Sequence, residues 1–176
     1  MDQEQLQQLL DYKEIIELKA RFGRLADVKD WDAFEDVFSP DATFDLGTGE
    51  LLHGGKAYAH AVRDMLEGAT SLHRFLMPEI TFVSADEATG IWMLNDYVEW
   101  QPDPITGERV GFKGYAREYE TYRKIGGVWK ITKWRLRYDR FDPLPREPLP
   151  ARVEGGGPDA LRDEGYMSAV VNPRGT

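Results

Sequence analysis

The segment IIELKARFGRLADVKDWD, residues 15–32, decides the fold because it contains most of a long helix and the start of the next. The helical pattern runs from Gln3 to about Asp27. At about 100° per residue, two stripes form on the helix surface. They are Ile15, Leu18, Phe22 and Leu25, and Ile16, Ala20, Gly23 and Asp27. The pattern therefore predicts a helix that is buried over more than half of its circumference.

The same segment contains three aspartates that differ in their local roles. Asp30 directly precedes a short helix, where its carboxylate can accept free backbone N–H groups, and Asp32 lies in that helix's first turn, where the dipole favours negative charge. Asp27 lies at the C-terminal end of the long helix, where the dipole disfavours an anion. It therefore needs another partner. An ion pair with Lys29 or Arg24, or a bond to loop backbone, would suffice; a histidine that it orients is the functional alternative.

Beyond this segment the pattern predicts helices first and strands afterwards. A short helix is expected over Trp31–Phe38, a short strand at ATFDL and a third helix at GGKAYAHAVRDMLEGA. Period-two alternation then predicts five strands joined by short turns. They are Ser71–Met77, Ile80–Ser84, Gly90–Gln101, Arg109–Lys124 and Val128–Arg140. This order indicates the α+β class with a strongly curled antiparallel meander.

Length and composition bound the function. The chain of 176 residues has the size of one domain, and 41% hydrophobic residues with eight Tyr, eight Phe and five Trp indicate a globular core. Its 31 acidic against 22 basic residues argue against nucleic acid and anionic membrane surfaces as partners. The absence of cysteine excludes thiolate chemistry. With no membrane-length apolar segment or N-terminal leader, we expect a cytoplasmic protein.

A change of composition after residue 143 suggests the domain boundary. We expect one α+β domain over residues 1–143 and a C-terminal tail over residues 144–176. The tail begins with the Pro- and Gly-rich stretch PREPLPARVEGGGPDA. It is either flexible, or packs on a neighbouring subunit or over the mouth of a pocket.

His73 is the candidate partner of Asp27. In SLHRFLMP, alternation gives partly apolar residues on both faces of the strand, so the His73 imidazole is expected to be enclosed. It is either a satisfied core residue or a catalytic one. Neither His53 nor His60 has a ligand spacing with His73, so no metal site is expected.

Asp96 is the second unusual acid. In IWMLNDYVEW it alternates with two tryptophans and two aliphatic residues, surroundings that raise the pKa of a carboxyl group and suit a general acid or base. A single bulge in the strand would instead turn Asp96 outward.

Three stretches together resemble the SnoaL-like group of the nuclear transport factor 2-like superfamily. They are IIELKARFGRLADVKDWDAFEDVFSPDATFDLG, SLHRFLMPEITFVSADEATGIWMLNDYVEW and GYAREYETYRKIGGVWKITKWRLRYDRF. The resemblance covers roughly residues 8–143, and RLADVKDWD, FSPDATF and YRKIGGVWKI are its most specific parts. It implies a cone-shaped barrel, in which a curved antiparallel sheet wraps around the long N-terminal helix and an apolar pocket opens at one end.

The resemblance also implies site residues. In the dehydratase and dehydrochlorinase branch, an Asp at the end of the long helix orients a His on the strand after the third helix, positions that Asp27 and His73 match. Asp96 is similar to the strand acid of the bile-acid dehydratases. Phe22 replaces a helix tyrosine of those enzymes, so Tyr97, Tyr115 or Tyr138 would have to supply the phenol. The second histidine of scytalone dehydratase has no obvious equivalent.

These matches imply a cofactor-independent lyase of the dehydratase type, acting on a hydrophobic cyclic substrate such as a steroid or polyketide-like ketone. Asp27, His73 and Asp96 are the expected catalytic residues. The expected substrate-binding residues are Phe22, Trp92, Tyr97, Tyr115, Trp134, Arg137 and Tyr138. Alternatives are an isomerase or cyclase with the same dyad, and a non-catalytic binding or assembly protein similar to dioxygenase β subunits. The family also implies a homo-oligomer, either a trimer or a dimer.

Overall fold

The computed structural model describes residues 2–47 and 49–147. Its elements are α1 (Gln3–Val28), α2 (Trp31–Glu35), β1 (Phe38–Asp45), β2 (Leu51–His53), α3 (Gly55–Leu66), β3 (Thr70–Phe75), β4 (Glu79–Phe82), β5 (Glu87–Glu99), β6 (Gly111–Ile125) and β7 (Val128–Pro143). This order confirms the predicted α+β class. Among the helices in the described ranges, none is long and apolar enough to cross a membrane.

The seven strands form one sheet in the order β2-β1-β7-β6-β5-β3, with β4 also paired to β5. The strands β5, β6 and β7 form the predicted antiparallel meander. Two pairings differ from a simple meander: β1 runs parallel to β7, and β3 and β4 both pair with β5, at residues 94–99 and 88–91 respectively. One consequence is that β3, which carries His73, forms an edge of the sheet.

The concave face of the curved sheet packs on α1. Ile15, Leu18, Phe22 and Leu25 are all buried in the core, as their shared stripe predicted. Phe22 also lies between Phe34 and Phe38, with ring centroids 5.2 and 5.8 Å away. Burial of each such side chain stabilises the fold by roughly 1.5–3 kcal/mol, so α1 is held mainly by this apolar contact.

The segment after α2 departs from the prediction. We expected helix as far as Phe38 and a strand only at residues 42–46, whereas α2 ends at Glu35 and β1 begins at Phe38. The reason is long-range pairing, since the Ile131 N–H donates to the Val37 carbonyl at 3.1 Å and Phe38 pairs with Ile131. Pairing with β7 therefore overrides the local helical pattern. The strand β2 was not predicted.

Packing continues slightly beyond the predicted domain boundary at residue 143. Leu144 is buried, and its N–H donates to the Gly111 carbonyl at 2.9 Å. The Arg109 N–H donates to the Arg146 carbonyl at 3.1 Å, and the compact unit ends at Arg146. The rest of the predicted tail, residues 148–176, lies outside the described residues.

Candidate active site

The structure brings Asp27 and His73 together. Asp27 lies in the last turn of α1 and His73 in the middle of β3, and 2.7 Å separates Asp27 Oδ1 from His73 Nδ1. The same carboxylate accepts the His73 backbone N–H at 3.0 Å. A carboxylate at Nδ1 selects the tautomer with the proton on that nitrogen, which leaves the Nε2 lone pair available.

Further polar contacts fix the Asp27 carboxylate. Ser71 Oγ donates to Asp27 Oδ1 at 3.2 Å, and the Arg74 guanidinium lies 3.6 Å from Asp27 Oδ2. Lys29 bonds to Ser71 Oγ at 2.6 Å. Within the described part of the chain, neither Lys29 nor Arg24 forms an ion pair with Asp27. The partner of Asp27 is therefore β3, and chiefly His73.

The other two aspartates have the predicted structural roles. Asp30 is the N-cap of α2, where its carboxylate accepts the Ala33 N–H at 3.3 Å. Asp32 lies in the first turn of the same helix. Both predictions are confirmed.

Asp96 faces inward, and β5 pairs with β3 and β6 without a bulge at this position. It lies opposite His73 on β3 and opposite Gly114 on β6. Tyr138 donates its hydroxyl to Asp96 Oδ2 at 2.7 Å, whereas Oδ1 has no hydrogen-bond donor among the described residues. Burial raises the pKa of the Asp96 carboxyl group, and the Tyr138 hydrogen bond opposes this only partly. Asp96 is therefore suited to hold a proton and donate it.

Gly114 makes room for Asp96. A Cβ atom on residue 114 would lie 2.0 Å from Asp96 Oδ1 and 2.5 Å from Tyr138 Cε1. Any larger residue would push the carboxyl group away from its present place.

His73 and Asp96 line one mostly apolar cavity between α1, α3 and the sheet. Three of the predicted substrate-binding residues, Phe22, Trp134 and Tyr138, also line it. The remaining lining residues are Ala26, Phe34, Leu46, Tyr58, Val62, Met65, Leu66, Leu94, Val98, Trp100, Phe112, Glu118 and Leu136. Such a cavity fits a hydrophobic molecule with few polar groups.

Four predicted substrate-binding residues lie elsewhere, which corrects the prediction. Tyr97 and Tyr115 occupy positions of β5 and β6 that point away from the cavity, where Tyr97 bonds to Glu99 and Arg109. Arg137 donates to Asp45 at 2.8 Å. Trp92 faces inward but does not line this cavity. It lies four residues before Asp96 on β5, where its Nε1–H donates to the Tyr122 hydroxyl at 2.7 Å. Of the three candidate phenols, only Tyr138 reaches the cavity.

Sequence reasoning missed two polar residues of the cavity. Tyr58 on α3 is buried and stacks on Phe44 with ring centroids 3.9 Å apart. Glu118 on β6 is buried and paired with Lys19 of α1. The sequence carried a weak signal for both: Lys19 interrupts the apolar stripe between Ile15 and Phe22, and Glu118 follows the small residues Gly114 and Ala116 at alternate positions of the strand.

The other two histidines are separate from this site. Both His53 and His60 are exposed. Across residues 2–47 and 49–147, no group of three His, Asp or Glu side chains is arranged to hold a metal ion.

Comparison with known proteins places this architecture in a family. Solved structures with the same fold include a scytalone dehydratase-like protein from Novosphingobium aromaticivorans DSM 12444 (TM-score 0.70, 17% identity, 82% of this chain and 93% of that one). They also include a type 2 hexachlorocyclohexane dehydrochlorinase, LinA (TM-score 0.73, 18% identity, 85% and 99%). A third is an NTF2-like protein with a cystatin-like fold from N. aromaticivorans (TM-score 0.62, 22% identity, 76% and 84%).

The fold is therefore the nuclear transport factor 2-like fold that the sequence pattern implied. At these identities the likeness concerns the fold alone. A model of the SnoaL-like domain matches residues 7–135, which is most of the chain. The chain belongs to the SnoaL-like domain family.

Proposed function

We propose that this protein is a cofactor-independent lyase of the dehydratase type, acting on a hydrophobic cyclic substrate such as a steroid or polyketide-like ketone. The observation that carries the proposal is the Asp27–His73 pair, 2.7 Å apart, beside an apolar cavity that also contains the buried acid Asp96. Two solved structures that share this fold are described as a scytalone dehydratase-like protein and a dehydrochlorinase, and the proposal takes its reaction class, an elimination, from them.

In the proposed step, His73 Nε2 removes a proton from the carbon next to the substrate carbonyl. The electrons of that C–H bond form the new double bond while the C–O bond to the leaving hydroxyl breaks. Asp27 stabilises the imidazolium that forms, because its carboxylate bonds to Nδ1–H. His73 is released as neutral imidazole when it returns the proton to solvent.

Asp96 completes the elimination by giving its proton to the departing hydroxyl, which leaves as water, and it regains a proton from solvent before the next turnover. Its buried position favours the protonated form, and Tyr138 holds the carboxyl group in place at 2.7 Å. General acid–base catalysis of this kind contributes about 10²- to 10⁴-fold, so the apolar cavity must supply further acceleration by positioning the substrate.

An isomerase is the second candidate, because Asp96 Oδ1, which has no hydrogen-bond partner among the described residues, could donate to a carbonyl oxygen instead of a leaving group. In that reaction His73 would return the proton to a different carbon and nothing would leave.

Product mass separates these candidates. The wild-type protein is incubated with a panel of cyclic β-hydroxy ketones and unsaturated cyclic ketones, and products are detected by mass spectrometry. A product lighter than its substrate by one water supports the lyase. A new product of unchanged mass favours the isomerase, and the absence of any product across the panel contradicts both.

A further inference from the structure

A buried charged cluster lies beside the cavity, away from the Asp27–His73 pair. Lys19 of α1 pairs with two carboxylates of β6, Glu118 and Glu120, and all three side chains are at most 1% exposed. The Lys19 ammonium also lies 4.1 and 4.0 Å from the ring centroids of Phe22 and Phe75. Buried charges persist only when paired, so this ammonium is the counter-charge that allows carboxylates here.

Both oxygens of Glu120 have partners. Oε1 accepts from Lys19 and Oε2 accepts from the Tyr122 hydroxyl, which in turn accepts from Trp92 Nε1 at 2.7 Å. Burial raises the pKa of Glu120 to about 7 in spite of Lys19. Glu120 is thus fully occupied within the protein, and it does not line the cavity.

Glu118 differs from Glu120 in its hydrogen bonds and in its position relative to the cavity. Its Oε2 accepts from Lys19, but within the described residues its Oε1 accepts no hydrogen bond. Glu118 also lines the cavity, among mostly apolar side chains. A donor on a molecule bound in the cavity would complete the hydrogen bonding of this oxygen.

Glu118 lies further along β6 than the residue that faces Asp96, and its charge still acts on the Asp96 carboxyl group. Asp96 is paired with Gly114 on β6, and Glu118 follows four residues later on the same face of that strand. At about 3.4 Å per residue, roughly 13 Å of strand separates the two positions. The cavity therefore has two polar regions, with apolar walls between them.

We propose that Glu118 is a specificity-determining residue that binds a neutral hydroxyl group on the substrate ring remote from the reacting carbon. This inference rests on the proposed function, because it assigns the second polar region of the same cavity. The recognised group is a neutral hydroxyl, because the Lys19 ammonium bonded to the same Glu118 carboxylate would repel a second positive charge there.

The test compares two probes, hydroxytetralone, with its phenolic hydroxyl on the ring remote from the ketone, and tetralone, which lacks that hydroxyl. Isothermal titration calorimetry with the full chain measures both dissociation constants. A hydrogen bond to a charged acceptor predicts that wild-type protein binds hydroxytetralone roughly tenfold or more tightly than tetralone. Glu118→Gln should reduce this ratio to about threefold or less, because a neutral amide is a weaker acceptor. The matched control Glu120→Gln should retain it.

An equal affinity of wild-type protein for the two probes, or an undiminished ratio in Glu118→Gln, overturns the inference. If Glu118→Gln does not fold, Lys19→Met/Glu118→Gln removes both charges of the pair and is measured in its place, with the same two outcomes. The binding ratio does not depend on turnover. His73→Ala should keep the full preference for hydroxytetralone even though it removes the proposed base, so failure of the dehydratase mechanism and failure of the Glu118 assignment give different results.

Discussion

Asp27 acts on two groups of one residue, because its carboxylate accepts both the backbone N–H and the ring Nδ1 of His73. The backbone contact fixes the position of β3 and the ring contact fixes the orientation of the imidazole. A carboxylate that only capped a strand edge would need the first contact and not the second. The second contact is what makes the pair suitable for proton transfer.

Tyr138→Phe tests the state of Asp96. The Tyr138 hydrogen bond lowers the pKa of Asp96, so its loss leaves burial unopposed and raises that pKa further. If Asp96 acts as the acid, it keeps its proton to higher pH, and the fall of kcat at high pH should move to higher pH. The pH–rate profile measures this. Tyr115→Phe, on the outer face of β6, should leave the profile unchanged, and a shift to lower pH in Tyr138→Phe would count against the acid role.

Gly114→Ala tests whether the position of Asp96 depends on the missing side chain. The new Cβ overlaps Asp96 Oδ1, and overpacking of this kind costs about 1–3 kcal/mol of unfolding free energy. In an Asp96→Ala background the same change should cost clearly less, because the clash with the Asp96 carboxyl group is removed and only the one with Tyr138 Cε1 remains. Urea denaturation of the wild type, the two single variants and the double variant measures both costs. Equal costs would show that Gly114 does not make room for Asp96.

For single residues, the sequence located the acidic side chains of the site more accurately than the phenolic ones. Asp27 was identified because local helix chemistry left it unexplained, and Asp96 because strict alternation placed it on the apolar face. Strict alternation on β5 places Asp96 inward and therefore turns its neighbour Tyr97 outward. The prediction did not apply this rule to Tyr97 or Tyr115, so neither was excluded. Glu118 and Lys19 could not be paired from sequence, since 99 positions separate them.

At the scale of elements, α1 is attached to the sheet by polar contacts near both ends. Near its N-terminus Asp11 accepts from Lys124 Nζ at 2.7 Å and from Trp129 Nε1 at 3.0 Å, and at its C-terminus Asp27 bonds to β3. Burial acts to raise the pKa of Asp11, but these bonds outweigh it and hold the pKa below its ordinary value. The position of the Asp27 end of α1 thus depends on the whole helix.

Asp11→Ala should lower the free energy of unfolding by about 1–3 kcal/mol, because it leaves the buried Trp129 N–H and the Lys124 ammonium without their acceptor. Urea denaturation measures the change. Glu4→Ala, at an exposed position of the same helix, is the control and should stay within about 0.5 kcal/mol of wild type. A loss no larger than that of the control would show that Asp11 does not anchor α1.

The elements themselves and the β5-β6-β7 meander were largely predictable, whereas the other strand pairings were not. Apolar stripes and alternation located α1, α3, β5, β6 and β7 because each pattern is local. The strand β1 was placed too late, because its first residues are fixed by contact with β7, whose residues lie about ninety positions later. The parallel pairing of β1 with β7 likewise has no local signal.

At the scale of the whole molecule, the cavity lies between two sets of ionisable groups, the half-buried His73 with the buried Asp96, and the buried Glu118 with Lys19. Enclosed carboxylates usually reduce stability unless they have a counter-charge. Here two carboxylates of β6 share one ammonium. Because the carboxylates outnumber the ammonium, we expect the free energy of unfolding to depend on pH.

That dependence has a definite sign. Glu120 has a pKa of about 7 in the folded protein, against 4.5 ordinarily, so between these values the folded state keeps a proton that the unfolded chain has lost. Stability should therefore fall as pH rises from 4.5 to 7 and then level off, by up to ~3 kcal/mol. Thermal or urea unfolding at pH 5 and pH 8 should show a clearly smaller fall in Glu120→Gln than in wild type. Parallel pH profiles for the two proteins would contradict this prediction.

Proton transfer by His73, oriented by Asp27, is the step on which the proposed function depends. The direct measurement is kcat of His73→Ala and of the control His60→Ala, in which an exposed histidine outside the cavity is replaced, on the substrate identified by product mass. His73→Ala should lose about 10²- to 10⁴-fold in kcat with normal folding, and His60→Ala should match wild type. Near-normal turnover by a folded His73→Ala variant would contradict the account.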